Sequence, residues 1–94
     1  MIDNKYLEQI KVVVNDFLDD EKQSFIFGSS LKKDHFGDID IAVMGGISIK
    51  EIDDLKTKFK NSALPYKIDI INLDKVDKDF KENILNNEIL WIKH

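Results

Sequence analysis

The sequence has no cysteine and no arginine among its 94 residues. Without cysteine the chain can form neither a disulfide framework nor a thiolate metal site, and this absence fits a cytoplasmic protein. No apolar run approaches the roughly 20 residues that cross a bilayer. No basic start followed by an apolar segment indicates a signal peptide. We therefore expect one small domain over residues 1–94, with no attachment to a membrane.

The absence of arginine restricts how the chain can bind phosphate. All 14 basic residues are lysine, and the formal net charge is −4. This acidic balance argues against direct binding of nucleic acid through its phosphates. Arginine's planar fork grips phosphate at two points, whereas lysine is a point charge. Any phosphate bound here must be held by backbone amides, hydroxyls, lysines or metal ions.

The spacing of apolar residues predicts a small α/β (α+β) domain. Helical periodicity covers 4–20, a second helix begins after Ser48, and a third covers 77–87. Strand patterns cover 24–27, 38–44 and 66–73, with a short helical turn over 29–33. The segment 89–92 is either a final strand or a packed extension. These elements predict a mixed sheet of three or four strands with helices packed mainly on one face.

Local signals refine this outline. Ser48 and Glu51 have the spacing of a capping box, which would begin the second helix. That helix has one mostly apolar stripe, made of Ile49, Ile52, Leu55, Lys56 and Phe59. We expect Phe59, Phe80 and Trp91 to be core residues. The acidic run over 74–79 is interpreted as solvated surface.

Three aspartates form the most informative pattern in the chain. Asp38 and Asp40 alternate with Ile39 on one strand, so both side chains point to the same face. Asp69 alternates in the same way with its neighbours on the next strand. If the two strands lie side by side, the three carboxylates converge. Oxygen ligands suit Mg²⁺ or Mn²⁺, and two such ions can stabilise both the attacking and the leaving oxygen of a displacement.

A solvated sheet face is the alternative explanation of these aspartates. One Asp on a strand would carry little meaning, but three such positions each oppose strand propensity. We therefore prefer a metal site formed by Asp38, Asp40 and Asp69.

The segment after the first strand contains candidate phosphate ligands. Gly28 allows backbone to approach a phosphate closely, and the amides at a helix start point toward an anion. Ser29 and Ser30 can donate hydroxyl groups. Lys32 and Lys33 can neutralise phosphate charge, although a solvated loop explains them equally well. His35 has no partner at a ligand-like spacing and is interpreted as a loop residue.

The pattern of Phe27-Gly-Ser followed by Gly37-Asp-Ile-Asp-Ile-Ala-Val43 resembles the signature of the DNA polymerase beta-like nucleotidyltransferase superfamily. The chain looks most like its short stand-alone branch, the minimal nucleotidyltransferases that act as antitoxin partners of HEPN-type toxins. The resemblance implies a nucleotidyltransferase fold in which Asp38 and Asp40 bind two metal ions. It makes Asp69 a metal ligand and the base that activates the attacking hydroxyl, and it assigns Gly28 and Ser29 to the triphosphate.

The same resemblance implies a reaction and a partner. AMP would pass from ATP to a tyrosine hydroxyl of a HEPN ribonuclease toxin, with Mg²⁺ or Mn²⁺ as the cofactor. Short members of the branch commonly carry an Arg soon after Gly-Ser, whereas segment 30–37 has none and is slightly shorter. A second hypothesis follows, in which the protein neutralises its partner by occlusion without efficient catalysis. The apolar tail 89–92 could then dock that partner or a second copy of the chain.

Overall fold

The computed structural model describes residues 2–32 and 37–94, which form one four-stranded sheet with three helices. In chain order the elements are α1 (Asn4–Phe17), β1 (Gln23–Phe27), a 3₁₀ turn (Ser29–Leu31), β2 (Asp38–Met44), α2 (Ile49–Lys60), β3 (Lys67–Asn72), α3 (Lys78–Leu85) and β4 (Ile89–Lys93). The strand order is β3-β2-β1-β4. Strand β1 is antiparallel to both of its neighbours, whereas β2 and β3 are parallel. The predicted mixed sheet is confirmed, and segment 89–92 supplies its fourth strand.

The main core lies between one face of the sheet and helices α1 and α2. Ile10 and Val14 of α1 and Leu55 of α2 are fully buried there. They pack against alternate residues of the strands, including Ile39 and Ile41 of β2. Burial of side chains of this size contributes roughly 1.5–3 kcal/mol each. This face therefore holds the sheet and two of the three helices together.

A smaller apolar cluster covers part of the opposite face. Phe25 and Ala42 are fully buried there, and Ile84 brings α3 against them. Trp91 packs on Phe25 with ring centroids 5.2 Å apart. Asp40 precedes Ala42 by two residues and projects to the same face. The aspartates therefore continue the face that α3 covers only in part.

The helix ends follow their capping residues. Both bonds of the predicted capping box are present at the start of α2, between Ser48 and Glu51. Helix α1 ends at Phe17, three residues earlier than predicted, because Leu18 turns to an extended conformation and is buried. Ile49 is exposed rather than part of the buried stripe of α2. Among the described residues, no helix is long and apolar enough to span a membrane.

Candidate active site

The site is built on the two parallel strands at the centre and edge of the sheet. Asp40 of β2 lies directly beside Asp69 of β3, and Asp38 lies beside Lys67. Neighbouring strands are about 4.7–4.9 Å apart, so registered residues on one face bring their side chains close together. The third strand lies beside the second, which is the condition set above for convergence, and all three aspartates share one face.

Asp40 lies at the centre of the negative charge. Its side chain is half-buried, while Asp38 is exposed. Burial, followed by the negative charges of Asp69 and Asp38, raises the pKa of the Asp40 carboxyl above its ordinary value. Lys67 offers partial compensation, because its Nζ lies 3.9 Å from Oδ1 of Asp69. Lys67 is largely exposed and Asp69 is partly exposed, so solvent weakens this attraction.

These carboxylates suit a divalent cation that is shared with a substrate. In residues 2–32 and 37–94, no three acidic or histidine side chains are arranged to enclose a metal ion by themselves. Mg²⁺ seldom requires such a cage, since it is usually held by one or two carboxylates together with waters and substrate phosphates. The neighbouring pair Asp40 and Asp69 provides oxygen donors of this kind, and a cation there would relieve their mutual repulsion.

Gly28 brings the turn after β1 against the same carboxylate. It has a φ of +89°, a region that favours glycine. A Cβ atom at this position would lie 2.7 Å from Oδ2 of Asp40, so a side chain would displace the carboxylate. The backbone therefore passes directly over Asp40. A group that binds Asp40 would therefore also contact the Gly28 turn. A phosphate that bridges Asp40 and the turn needs this arrangement.

The hydroxyls of the turn differ in accessibility. Ser29 is exposed beside Gly28, whereas Ser30 is only 1% exposed. Within the described chain, Oγ of Ser30 has no hydrogen-bond partner, which is uncommon for a buried hydroxyl. Lys32 is exposed just beyond the turn. The remaining candidates in this segment, Lys33 and His35, lie outside the described residues.

Two cavities flank the carboxylates. One, of about 520 Å³, follows the edge of the sheet beside Asp69 and is lined by Lys56, Lys60 and Lys67. The other, of about 200 Å³, lies between the Gly28 turn and α3. A groove of about 370 Å³ elsewhere on the described chain does not reach the aspartates, because it is lined by α1 residues and Lys58. The site thus has two flanking spaces, one on each side of the carboxylates.

A match to a protein family identifies the domain that carries these carboxylates. The sequence model of the family described as "Polymerase beta, Nucleotidyltransferase" matches residues 8–94. The chain belongs to the polymerase beta nucleotidyltransferase family. No curated protein matches the chain significantly. Family membership supports a nucleotidyltransferase-type function and agrees with the α+β sheet described above.

Sequence reasoning misjudged one residue of this nucleotidyltransferase domain and missed the contacts of another. Phe80 was expected in the core, but it is 46% exposed and lines the smaller cavity, so that prediction is wrong. Asp74 was interpreted as solvated surface. Although exposed, its Oδ2 accepts hydrogen bonds from the amides of Gly45 and Gly46, each at 2.9 Å. The two glycines precede Asp74 by 29 and 28 residues, so no local pattern indicated this contact.

Proposed function

We propose that the protein is a metal-dependent enzyme that transfers AMP from ATP to a hydroxyl group. The observation that carries this proposal is the pairing of Asp40 with Asp69 directly beneath the Gly28 turn. Oxygen ligands and a close backbone turn are what a triphosphate bound through a divalent cation requires. Membership of the nucleotidyltransferase family supports the same class of reaction.

In the proposed reaction, the acceptor oxygen attacks the α-phosphorus of ATP. A new oxygen–phosphorus bond forms, the bond to the bridging oxygen breaks, and pyrophosphate leaves. Asp69 takes the proton of the attacking hydroxyl. Gly28 and Ser29 bind phosphate oxygens, and Lys32 adds positive charge beyond the turn. Lys33 and Ser30 remain proposed ligands from the sequence, although Ser30 would need the turn to open before its hydroxyl reached a phosphate.

Asp38, Asp40 and Asp69 would hold Mg²⁺ or Mn²⁺. When bound, two such ions would stabilise the charge that develops on the attacking and leaving oxygens. By the resemblance, Asp38 and Asp40 would bind both ions, and Asp69 would bind the ion that activates the attacking hydroxyl.

We propose a HEPN-type toxin as the acceptor protein, so that the chain acts as an antitoxin. This rests on the resemblance of the Gly28–Ser29 and Asp38–Asp40 motifs to the short stand-alone branch of the family. The described chain consists of one sheet and three helices. A macromolecular acceptor would therefore have to supply most of the surface through which the two molecules bind. A cysteine-free sequence fits the cytoplasmic location that such a reaction entails.

Labelling of the toxin partner tests the proposal directly. The wild-type protein, α-³²P-labelled ATP, Mg²⁺ and a co-encoded HEPN-type toxin should give a labelled toxin. Asp40→Asn and Asp69→Asn should each reduce the labelling rate at least about 100-fold, the scale seen when one stabilising group of a reaction centre is removed. Equal labelling by the wild type and Asp40→Asn would contradict the proposal.

Asp53→Asn is the matched control. Asp53 is exposed on α2, and its replacement makes the same change of charge away from the sheet face that carries Asp40. This variant should label the toxin at the wild-type rate. Omission of Mg²⁺ together with a chelator should abolish labelling by all variants.

Neutralisation by occlusion is the second candidate function. It is favoured by the absence of arginine, because the phosphate site must then rely on backbone amides, hydroxyls and lysine. The segment 89–92 is paired with β1 and lies at the sheet edge, where a partner could add. Under this candidate, Asp40→Asn would protect cells from the toxin as well as the wild type does. Loss of protection with retained binding would exclude it.

A further inference from the structure

The smaller cavity opens beside the carboxylates and is built by two distant segments. Phe27, Gly28 and Lys32 line it from the end of β1 and the turn, while Phe80, Asn83 and Asn87 line it from α3 and the residues that follow. Its volume is about 200 Å³. Pockets for drug-sized ligands hold about 300–1,000 Å³, so this space suits a single ring system rather than a whole nucleotide.

The cavity adjoins the proposed phosphate site through Gly28. That glycine lines the cavity on one side and meets Oδ2 of Asp40 on the other. A molecule with its phosphates at the turn could therefore place a second group against α3. Lys32 lies along the same path and could neutralise phosphate charge between the two positions.

The lining has the chemistry of a base-binding site. Phe27 and Phe80 contribute aromatic rings, and Phe80 remains 46% exposed although it is a large apolar residue. The Nδ2 group of Asn87 donates to the backbone oxygen and to Oδ1 of Asn83, at 2.6 and 2.8 Å. In the part of the chain that the structure describes, Oδ1 of Asn87 and Nδ2 of Asn83 have no such bond. One acceptor and one donor group therefore remain for a ligand.

We propose that this cavity binds the adenine base of the nucleoside triphosphate, with Phe80 as the stacking residue and Asn83 and Asn87 as the residues that select the base. The proposal rests on the proposed nucleotidyl transfer, which supplies the triphosphate. Adenine has a donor at N6 beside acceptor nitrogens, and carboxamides pair with such an edge in nucleic-acid recognition. Stacking on an aromatic ring explains why an exposed phenylalanine points into a cavity beside a phosphate site.

Binding of ATP, adenosine and inorganic tripolyphosphate separates the base site from the phosphate site. We expect Phe80→Ala to weaken ATP binding in the presence of Mg²⁺ by about 5- to 150-fold, the range that stacking of one base supplies. Tripolyphosphate should bind this variant as tightly as it binds the wild type. Isothermal titration calorimetry measures the affinity for each of the three ligands. Asn83→Ala should also weaken the binding of ATP and adenosine but not that of tripolyphosphate.

Leu85→Ala is the control, because Leu85 is a partly exposed apolar residue of the same helix that does not line the cavity. It should leave all three affinities unchanged. Circular dichroism should show that Phe80→Ala and Asn83→Ala keep the wild-type fold, since both side chains are largely exposed.

The outcomes distinguish this inference from the proposed function. Equal ATP affinity in the wild type and Phe80→Ala would overturn the base site and leave the phosphate site intact. An equal loss of ATP and tripolyphosphate affinity would also overturn it. A third outcome is that the wild type binds adenosine but not tripolyphosphate, and that Phe80→Ala weakens adenosine binding. This result would support the base site and refute the phosphate site. A wild type that binds neither ATP nor adenosine would refute both.

Discussion

Gly28 is the residue at which backbone conformation and site chemistry meet. Its φ of +89° turns the chain, and its missing side chain leaves room for Asp40. Sequence alone suggested Gly28 as a phosphate ligand because glycine lets the backbone approach a phosphate closely. The contact with Asp40 adds a different reason for glycine at this position, since any Cβ would meet the carboxylate at 2.7 Å.

Gly28→Ala should therefore be more harmful than the same change at Gly46. Gly46 also has a φ of +89°, but a Cβ there would meet nothing within 4 Å. Each substitution should cost about 1–3 kcal/mol from backbone strain. The two variants should unfold at similar urea concentrations, because the Asp40 carboxylate is the free end of a side chain and can move aside. Gly28→Ala should nevertheless label the toxin more slowly than Gly46→Ala, since only it displaces that carboxylate. Equal labelling rates of the two variants would contradict this prediction.

Asp40 should make stability depend on pH. Burial and the neighbouring charges of Asp69 and Asp38 raise its pKa above the unfolded value of about 3.9. Between the unfolded and the folded pKa, the folded state binds more protons, so the free energy of unfolding falls as the pH rises through that window. Asp40→Asn removes the charge and should be more stable than the wild type at pH 7.

Urea unfolding at several pH values checks this prediction. The advantage of Asp40→Asn should disappear below the unfolded pKa, where the wild-type carboxyl is protonated in both states. Asp53→Asn, on the exposed surface of α2, should show no comparable gain at pH 7. An Asp40→Asn variant that is less stable than the wild type at pH 7 would contradict the sign of the effect.

At the scale of elements, the register of β2 and β3 is fixed at both ends of the pair. The amide of Lys67 donates to the carbonyl of Gly37 at one end, and that of Leu73 donates to Val43 at the other. Asp74 then accepts from Gly45 and Gly46 just after β2. This anchor lies far from Asp40 along the strand, yet a slip of one residue would send the aspartate to the opposite face.

Asp74→Ala should consequently lower the free energy of unfolding by about 1–2 kcal/mol. This value is near the lower end of the range for hydrogen bonds to charged groups, because Asp74 is exposed. Asp74→Asn keeps an acceptor oxygen and should lose less. Asp79→Ala, which removes an exposed carboxylate from the first turn of α3, is the control. If Asp74→Ala proved as stable as Asp79→Ala, the two amides would be satisfied by water instead.

At the scale of the whole molecule, the carboxylate site lies between two unlike spaces. The cavity beside α3 is small and lined by aromatic rings and carboxamides. The cleft beside Asp69, of about 520 Å³, is lined by lysines from α2 and β3. Since Asp69 is the proposed base, we expect the acceptor to approach from the lysine-lined cleft. A positive rim of this kind would mainly increase the association rate of an acidic acceptor.

Lys56→Glu/Lys60→Glu should slow labelling of the toxin and leave ATP affinity unchanged. The two lysines line the cleft from α2, and neither lines the cavity beside α3. Lys75→Glu/Lys78→Glu makes the same change of net charge outside the cleft and should label at the wild-type rate. A loss of ATP affinity in Lys56→Glu/Lys60→Glu would place the triphosphate, rather than the acceptor, in the cleft.

The sequence by itself determined the order of the elements up to α3, the capping box of α2 and the common face of Asp38 and Asp40. These features depend on neighbours within a few residues, where the periods of helix and strand decide which side chains share a face. The exact end of α1 was missed, because the burial of Leu18 depends on distant parts of the chain.

Only the tertiary structure decided which strands are neighbours and what surrounds the aspartates. The pairing of Asp40 with Asp69 depends on the parallel placement of β3, and the approach of Gly28 depends on β1 lying on the other side of β2. The exposure of Phe80 depends on how α3 is placed against the sheet. These contacts join residues far apart in the chain, and their geometry follows from packing of the whole sheet rather than from local propensity.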